Sequence, residues 1–300
     1  MKPVKNISAS VKNRLLDCSR TDKRPFNEIL QYFSMERFLY RLSCSTHADR
    51  FILKGALMLR AWDASVARPT MDIDLLGRTS NEVQNITTQF QEIMSVNVEP
   101  DGITFKSDTI NIEKITEDAN YEGVRVRFKG KLDTAIVSMQ VDIGFGDTIY
   151  PGPQKAFIPA ILDFPAPEIL CYSRESTISE KFEAMVKFGI LNSRMKDFYD
   201  IWFLSRQYSF DGPKLAEAIR RTFEHRKTEL TLKIDAFEKH FIHEKQIQWR
   251  AFCRKLQQEH IPASFSDIVD NIKDFLIPVV ASIHEGTSIP AHWKAAGPWV

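Results

Sequence analysis

At 300 residues the chain is long enough for one large or two modest domains, each with its own core. Its hydrophobic fraction of 43% and charged fraction of 26% are those of an ordinary globular protein. A net charge of +1 excludes the strongly basic balance of a whole-molecule nucleic-acid binder, although local basic patches stay open. Cys18, Cys44, Cys171 and Cys253 stand alone, which excludes the C-x-x-C spacing of a zinc knuckle or redox pair and fits thiols in a reducing cytoplasm. The polar N-terminus has no secretory apolar core, and no run reaches the ~18 to 20 apolar residues of a membrane span. The expectation is a cytoplasmic protein.

Apolar positions at Val4, Ile7, Val11, Leu15 and Leu16 predict a helix over Val4 to Ser19. A stronger amphipathic pattern predicts one or two helices over Pro25 to Leu42, packed on a following sheet. Phe51-Ile52-Leu53 then leads through Lys54-Gly55-Ala56 into a helical segment from Leu57 to Trp62. Strand, small-residue turn and helix together present free backbone N–H groups, a phosphate-binding arrangement, although such a glycine more often only frees the backbone. Arg68-Pro69-Thr70 brings a guanidinium and a hydroxyl up to Met71-Asp72-Ile73-Asp74-Leu75-Leu76. On a strand, residues two apart share a face, so Asp72 and Asp74 point together while Ile73 and Leu75 enter a core. Two such carboxylates repel and are costly to desolvate, and the usual remedy is Mg2+.

A helix is expected over Asn81 to Met94, then strands at Ile110 to Ile115, Val124 to Phe128 and Ala135 to Phe145. Arg125, Arg127, Lys129 and Lys131 line the face opposite Val124, Val126 and Phe128. The commoner reading of this row is a solvated face, and the alternative is a groove for RNA or a triphosphate tail. Asp142 lies between Val141 and Ile143; if its strand neighbours that of Asp72 and Asp74, three acids gather, and the third could help activate an attacking hydroxyl. Asp147 reads as a turn residue.

Five prolines between Pro151 and Pro167 mark a connector that excludes a helix or a central strand, dividing residues 1–155 from a mainly helical part, 156–300. A cap-like Ser179 opens the first expected helix there, with Lys181 in its first turn. In the next helix Asp197 and Asp200 share a face, and Lys196 has ion-pair spacing to Asp200. Further helices are expected at Pro213 to His225, Phe237 to Glu259, and Phe265 to Glu285 with an interruption near Pro278. Arg220, Arg221, His225, Arg226 and Lys227 form a basic cluster, and the tail from Thr287 reads as irregular.

Taken together, KGALMLRAW, RPTMDIDLLG, VRVRFKGKL, QVDIGFGD, SEKFEAMVKFG and RMKDFYDIWFL resemble the AbiEii/AbiGii family of nucleotidyltransferase toxins, from bacterial toxin–antitoxin and phage-defence systems. The resemblance spans roughly residues 50 to 205. It implies an α+β fold, with a polymerase-beta-like mixed sheet flanked by helices and a helical C-terminal domain. It implies Mg2+ on Asp72 and Asp74 with Asp142 as third strand carboxylate, and NTP phosphates held by Lys54, Gly55 and Ala56 with Arg68 and Thr70 beside them. Lys181 matches a lysine for the triphosphate, and Lys196, Asp197 and Asp200 match the K/R-D-x-x-D motif. Where relatives commonly have Gly-Ser or Gly-Gly-Thr, this chain has Gly55-Ala56, without the hydroxyl. The implied activity is transfer of a nucleoside monophosphate from an NTP to an acceptor, with the 3′ end of tRNA as the family's candidate and an antitoxin as partner. The competing readings are a non-catalytic nucleotide-binding or protein-interaction module, and a small-molecule nucleotidyltransferase.

Overall fold

The computed structural model describes residues 6–62, 68–118, 121–256, 258 and 260–300. Val4 of the first expected helix, residues 63–67 ahead of Arg68, and Glu259 lie outside them. The chain divides into two compact units, residues 1–146 with 154–171, and residues 147–153 with 172–300.

The first unit is a helix-backed sheet. Its elements are α1 (Ile7–Thr21), α2 (Phe26–Ser43), β1 (Phe51–Lys54), α3 (Met58–Ala61), β2 (Ile73–Gly77), α4 (Val83–Ser95), β3 (Ile103–Asp118), β4 (Tyr121–Leu132), β5 (Ala135–Phe145), β6 (Gln154–Phe157) and β7 (Glu168–Cys171). Seven strands run in the order β3-β4-β5-β2-β1-β7-β6. β2 lies parallel to β5 and antiparallel to β1, so the sheet is mixed. One face is built from the alternate apolar residues: Val124, Val126 and Phe128 on β4, Val137, Met139 and Val141 on β5, Ile73 and Leu75 on β2. Helix α2 lies across this face, where Phe38 meets Phe90, Phe105 and Phe128 with ring centroids 5.1 to 5.8 Å apart. Burial and ring packing of this kind anchor the helix; truncating a core phenylalanine typically costs about 3–5 kcal/mol.

The proline-rich segment is not merely a connector. Two short strands form within it, and β7 pairs with β1 inside the sheet. Each lies where its backbone N–H groups are free of proline, and the intervening loop is pinned from α2: Glu36 accepts from the Ile161 N–H, and Arg37 donates to the Pro165 carbonyl. Burial pushes the Glu36 carboxyl above its ordinary value, against the pull of Arg37.

The second unit is helical: α5 (Arg174–Phe188), α6 (Met195–Gln207), α7 (Gly212–Arg226), α8 (Lys239–Leu256) and α9 (Phe265–Glu285), with two short antiparallel strands, β8 (Phe210–Asp211) and β9 (His292–Trp293). Ser173, not Ser179, caps α5, accepting from the Ser176 N–H, so Lys181 lies nearly two turns deeper than its sequence suggested. Helix α9 continues through Pro278 rather than breaking. The tail is ordered by tryptophan donors: Trp293 Nε1 to the Ser205 carbonyl at 2.6 Å and Trp299 Nε1 to the Phe275 carbonyl at 2.9 Å. Among the described residues no helix is long and apolar enough to cross a membrane.

Candidate active site

The exposed face of the first unit's sheet carries a row of charges set by strand register. Lys54 on β1 is opposite Asp74 on β2, Asp74 is opposite Asp142 on β5, and Asp142 is opposite Arg125 on β4, with Glu113 on β3 completing the row. The condition set by the sequence is met: the strands of Asp74 and Asp142 are neighbours, and the two acids are directly in register. Both are partly exposed while Ile73, Leu75, Val141 and Ile143 on either side are buried. Asp72 sits in the bend just before β2, and its field acts on Arg125.

Gly55 is what makes room for Asp74. Its φ of +73° is strained for any L side chain, and a Cβ there would overlap Asp74 Oδ2. The turn thus brings backbone against a carboxylate rather than merely bending. The helix after it is shorter than expected, only Met58–Ala61, so its single turn offers little macrodipole for phosphate. Ala56 is buried, so the hydroxyl missing from that position would not face solvent.

Asp142 is already engaged. Arg125 grips it with two hydrogen bonds, Nε to Oδ1 and Nη2 to Oδ2, each 2.7 Å, and the Gln140 amide donates to Oδ2 at 3.3 Å. The hydrogen bond to Asp142 is the main reason the Arg125 guanidinium is raised above its ordinary pKa. Among the described residues no three acidic, histidine or cysteine side chains gather in a metal-holding arrangement. Asp142, expected as the third strand carboxylate beside Asp72 and Asp74, is paired here with the Arg125 guanidinium. What remains, Asp72 and Asp74 with hard oxygen donors beside the Gly55 cradle, fits Mg2+, which takes one or two carboxylates and completes its shell with water and phosphate.

The segment leading into the acids is positioned by α2, a contribution the sequence did not reveal. Gln31 donates to the Met71 carbonyl at 2.9 Å, and the Tyr32 hydroxyl accepts from the Thr70 N–H at 2.9 Å. Tyr32 in turn carries the Arg60 guanidinium 4.6 Å over its ring. Thr70 turns its hydroxyl to the Asp72 carbonyl at 3.3 Å, and Arg68 beside it is half-buried. A cleft of about 580 Å³ opens next to Asp72, bordered by Gln31, Arg127, Lys129 and Gln140.

The second unit has its own ionic group. Lys181 on α5 reaches Asp197 at 2.9 Å and Asp200 at 2.7 Å on α6, and Arg194 Nε holds Asp197 from the other side at 2.6 Å. Asp197 is 0% and Asp200 1% exposed. Burial pushes the Asp197 carboxyl up, but the charges of Lys181 and Arg194 outweigh it and hold it below the ordinary carboxylate range. Asp200 thus pairs with Lys181 and not with Lys196, which is exposed. Nor is Asp147 a simple turn residue: it is 2% exposed and bound to Arg226 at 2.9 Å, and Arg226 also holds Glu183 at 2.8 Å. Arg220 and Arg221 pair with Glu217, so most of the expected basic cluster on α7 is neutralised within the unit.

A mixed sheet presenting a D-x-D entry, an in-register third acid and a glycine turn packed on the second aspartate defines a nucleotidyltransferase-type frame. The family model described as nucleotidyl transferase AbiEii toxin, type IV toxin–antitoxin system, matches residues 37–271. The chain belongs to this AbiEii nucleotidyltransferase toxin family. Two solved structures are similar: a candidate nucleotidyltransferase from H. pylori (13% identity, 84% of this chain and 94% of that one, TM-score 0.48) and JHP933 from Helicobacter pylori (14%, 83% and 89%, TM-score 0.45). Among curated proteins none matches the chain.

Proposed function

We propose that this chain transfers a nucleoside monophosphate from an NTP to an acceptor hydroxyl on the open acid row of its first unit. The observation that carries the reading is the register of Asp74 against Asp142, with Gly55 vacating the space over Asp74. In the reaction the acceptor oxygen bonds to the α-phosphorus, the bond to the β-phosphate oxygen breaks, and pyrophosphate leaves with the bonding electrons. Asp72 and Asp74 would hold Mg2+, which when bound neutralises charge on the α-phosphate and lowers the pKa of a hydroxyl it contacts. Asp142 Oδ2 is occupied by Arg125 and Gln140, but Oδ1 takes only one of these hydrogen bonds and keeps a lone pair for the acceptor's proton. Arg125 meanwhile relieves the repulsion between Asp142 and Asp74. Lys54, opposite Asp74 at the other end of the acid pair, offers its ammonium to the phosphates, with Arg68 entering from the preceding segment.

Lys181 is assigned differently. To meet a triphosphate it would have to leave two buried carboxylates, and uncovering one such charge costs about 3–5 kcal/mol. We assign Lys181, Asp197 and Asp200 to fastening α5 to α6. From the family resemblance we take the acceptor to be the 3′ end of tRNA and the regulatory partner to be a cognate antitoxin.

The test is purified protein with Mg2+, each α-labelled NTP in turn and total bacterial tRNA, beside an Asp72→Asn/Asp74→Asn variant. Label on tRNA that vanishes in the folded variant is expected. Equal labelling by the variant, or no pyrophosphate release by the wild type with any NTP, acceptor and lysate, would sink the reading.

A further inference from the structure

Beyond Arg125, the basic row on β4 is left unused by the chemistry above. Val124, Val126, Phe128 and Leu132 face the core, so Arg125, Arg127, Lys129 and Lys131 share the solvent face, spaced about 7 Å apart along the strand. Arg125 is spent on Asp142, and Arg127 pairs with Glu113 at 2.7 Å. Lys129 and Lys131 are exposed and have no ion pair among the described residues, and the same holds for Lys106 on β3. Lys106 is moreover directly opposite Lys129. Like charges facing each other across two strands oppose sheet pairing, and neither lysine has an ion pair among the described residues. A solvated face needs no such concentration of one sign.

Two further features give the row a direction. It starts at Asp142 and runs about 20 Å along β4 to Lys131, the length of several nucleotides. The cleft of about 580 Å³ beside Asp72 is bordered by Arg127, Lys129 and Gln140 of the same face. That volume is within the range of small-molecule pockets, roughly 300 to 1,000 Å³, and suits one nucleotide.

We infer that this face is the track of the acceptor, a single-stranded end of an RNA whose phosphates lie along Lys131, Lys129 and Arg127, with Lys106 alongside and the terminal nucleotide in the cleft. A single line of cations running away from the acid row suits one strand better than the two backbones of a duplex. The inference rests on the nucleotidyl-transfer reading for the identity of the site, but binding can be measured without turnover.

The experiment is fluorescence anisotropy with 5′-fluorescein-labelled bacterial tRNA, without NTP, over roughly 50 to 200 mM salt. Wild type is compared with Lys106→Gln/Lys129→Gln/Lys131→Gln and with a charge-matched control, Lys233→Gln/Lys239→Gln/Lys255→Gln, on the second unit. The β-strand variant is expected to melt no lower than wild type, bind about tenfold more weakly at low salt, and lose about 2 from the slope of log K against log salt, ~0.7 for each phosphate contact removed. The control should bind like wild type. Unchanged affinity and slope in the β-strand variant, an equal loss in the control, or no RNA binding by wild type would overturn the inference; the last would leave the face to an acidic protein. Tight, row-dependent binding with no label transferred would instead sink the transfer reading and leave the track standing.

Discussion

The two units contain nearly the same ingredients in opposite states. In the first, Asp74 and Asp142 lie side by side with Arg125 on one of them, and the pair stays open: Arg125 and Asp142 side chains are 29% and 21% exposed. In the second, Asp197 and Asp200 enclose Lys181, add Arg194, and are sealed from water. The closed group has its cations supplied from within the unit. The open group keeps its acids and Arg125 partly exposed to solvent. Burial and neutralisation, rather than residue type, separate a clamp from a site.

The sharpest way to break this contrast is Asp74→Asn. It should cost at least about a hundredfold in nucleotidyl transfer, the usual scale for losing a charged group from such a site, while leaving the melting temperature unchanged or raised as repulsion with Asp142 is relieved. Lys181→Met should do the reverse, destabilising by about 3–5 kcal/mol in urea unfolding because two buried acids lose their partner. Gly55→Ala should fall between, costing about 1–2 kcal/mol for a positive-φ alanine and lowering transfer as Asp74 is displaced.

The acid limb of stability follows from Asp197. Its folded carboxyl lies below the unfolded value of about 3.9, so it binds protons less readily folded than unfolded. Its contribution is fully present above that unfolded value and is lost as pH falls through the depressed folded value. Asp197→Asn should flatten this part of the pH–stability curve; an unchanged acid limb would mean the ion group is not closed in solution. The smallest effect belongs to Lys196→Ala, expected within ~0.5 kcal/mol of wild type in stability because the side chain is exposed. A loss of transfer without a loss of stability would mark Lys196 as a ligand-binding residue after all.

What could be read in advance follows the range of the interactions. Asp72 and Asp74 stood out because alternation is local, and the apolar neighbours of Asp142 marked its strand as central. The glycine before them signalled a special turn, though not that Asp74 would fill its vacant Cβ position. Arg125 was visible only as one of a basic row, since its grip on Asp142 depends on a cross-strand register that no local pattern encodes. The same limit hid Lys181's partners, 16 and 19 positions along the chain, and Asp147, whose burial comes from Arg226 on α7. Gln31 and Tyr32 read as ordinary members of an amphipathic helix because their task, fixing the Thr70–Met71 backbone, needs a tertiary contact to appear. The short strands among the prolines were missed because a proline excludes only its own N–H from a ladder, not those of its neighbours.

The most direct measurement is the shift in melting temperature on adding Mg2+ and each NTP to wild type and to Asp74→Asn. A ligand held at the open acid pair stabilises only the protein that has it, by about 2.7 kcal/mol at a hundred times its dissociation constant. The account predicts an upward shift for at least one NTP in wild type, dependent on Mg2+ and absent in Asp74→Asn. An equal shift in both proteins would place nucleotide binding away from the acid row and contradict it.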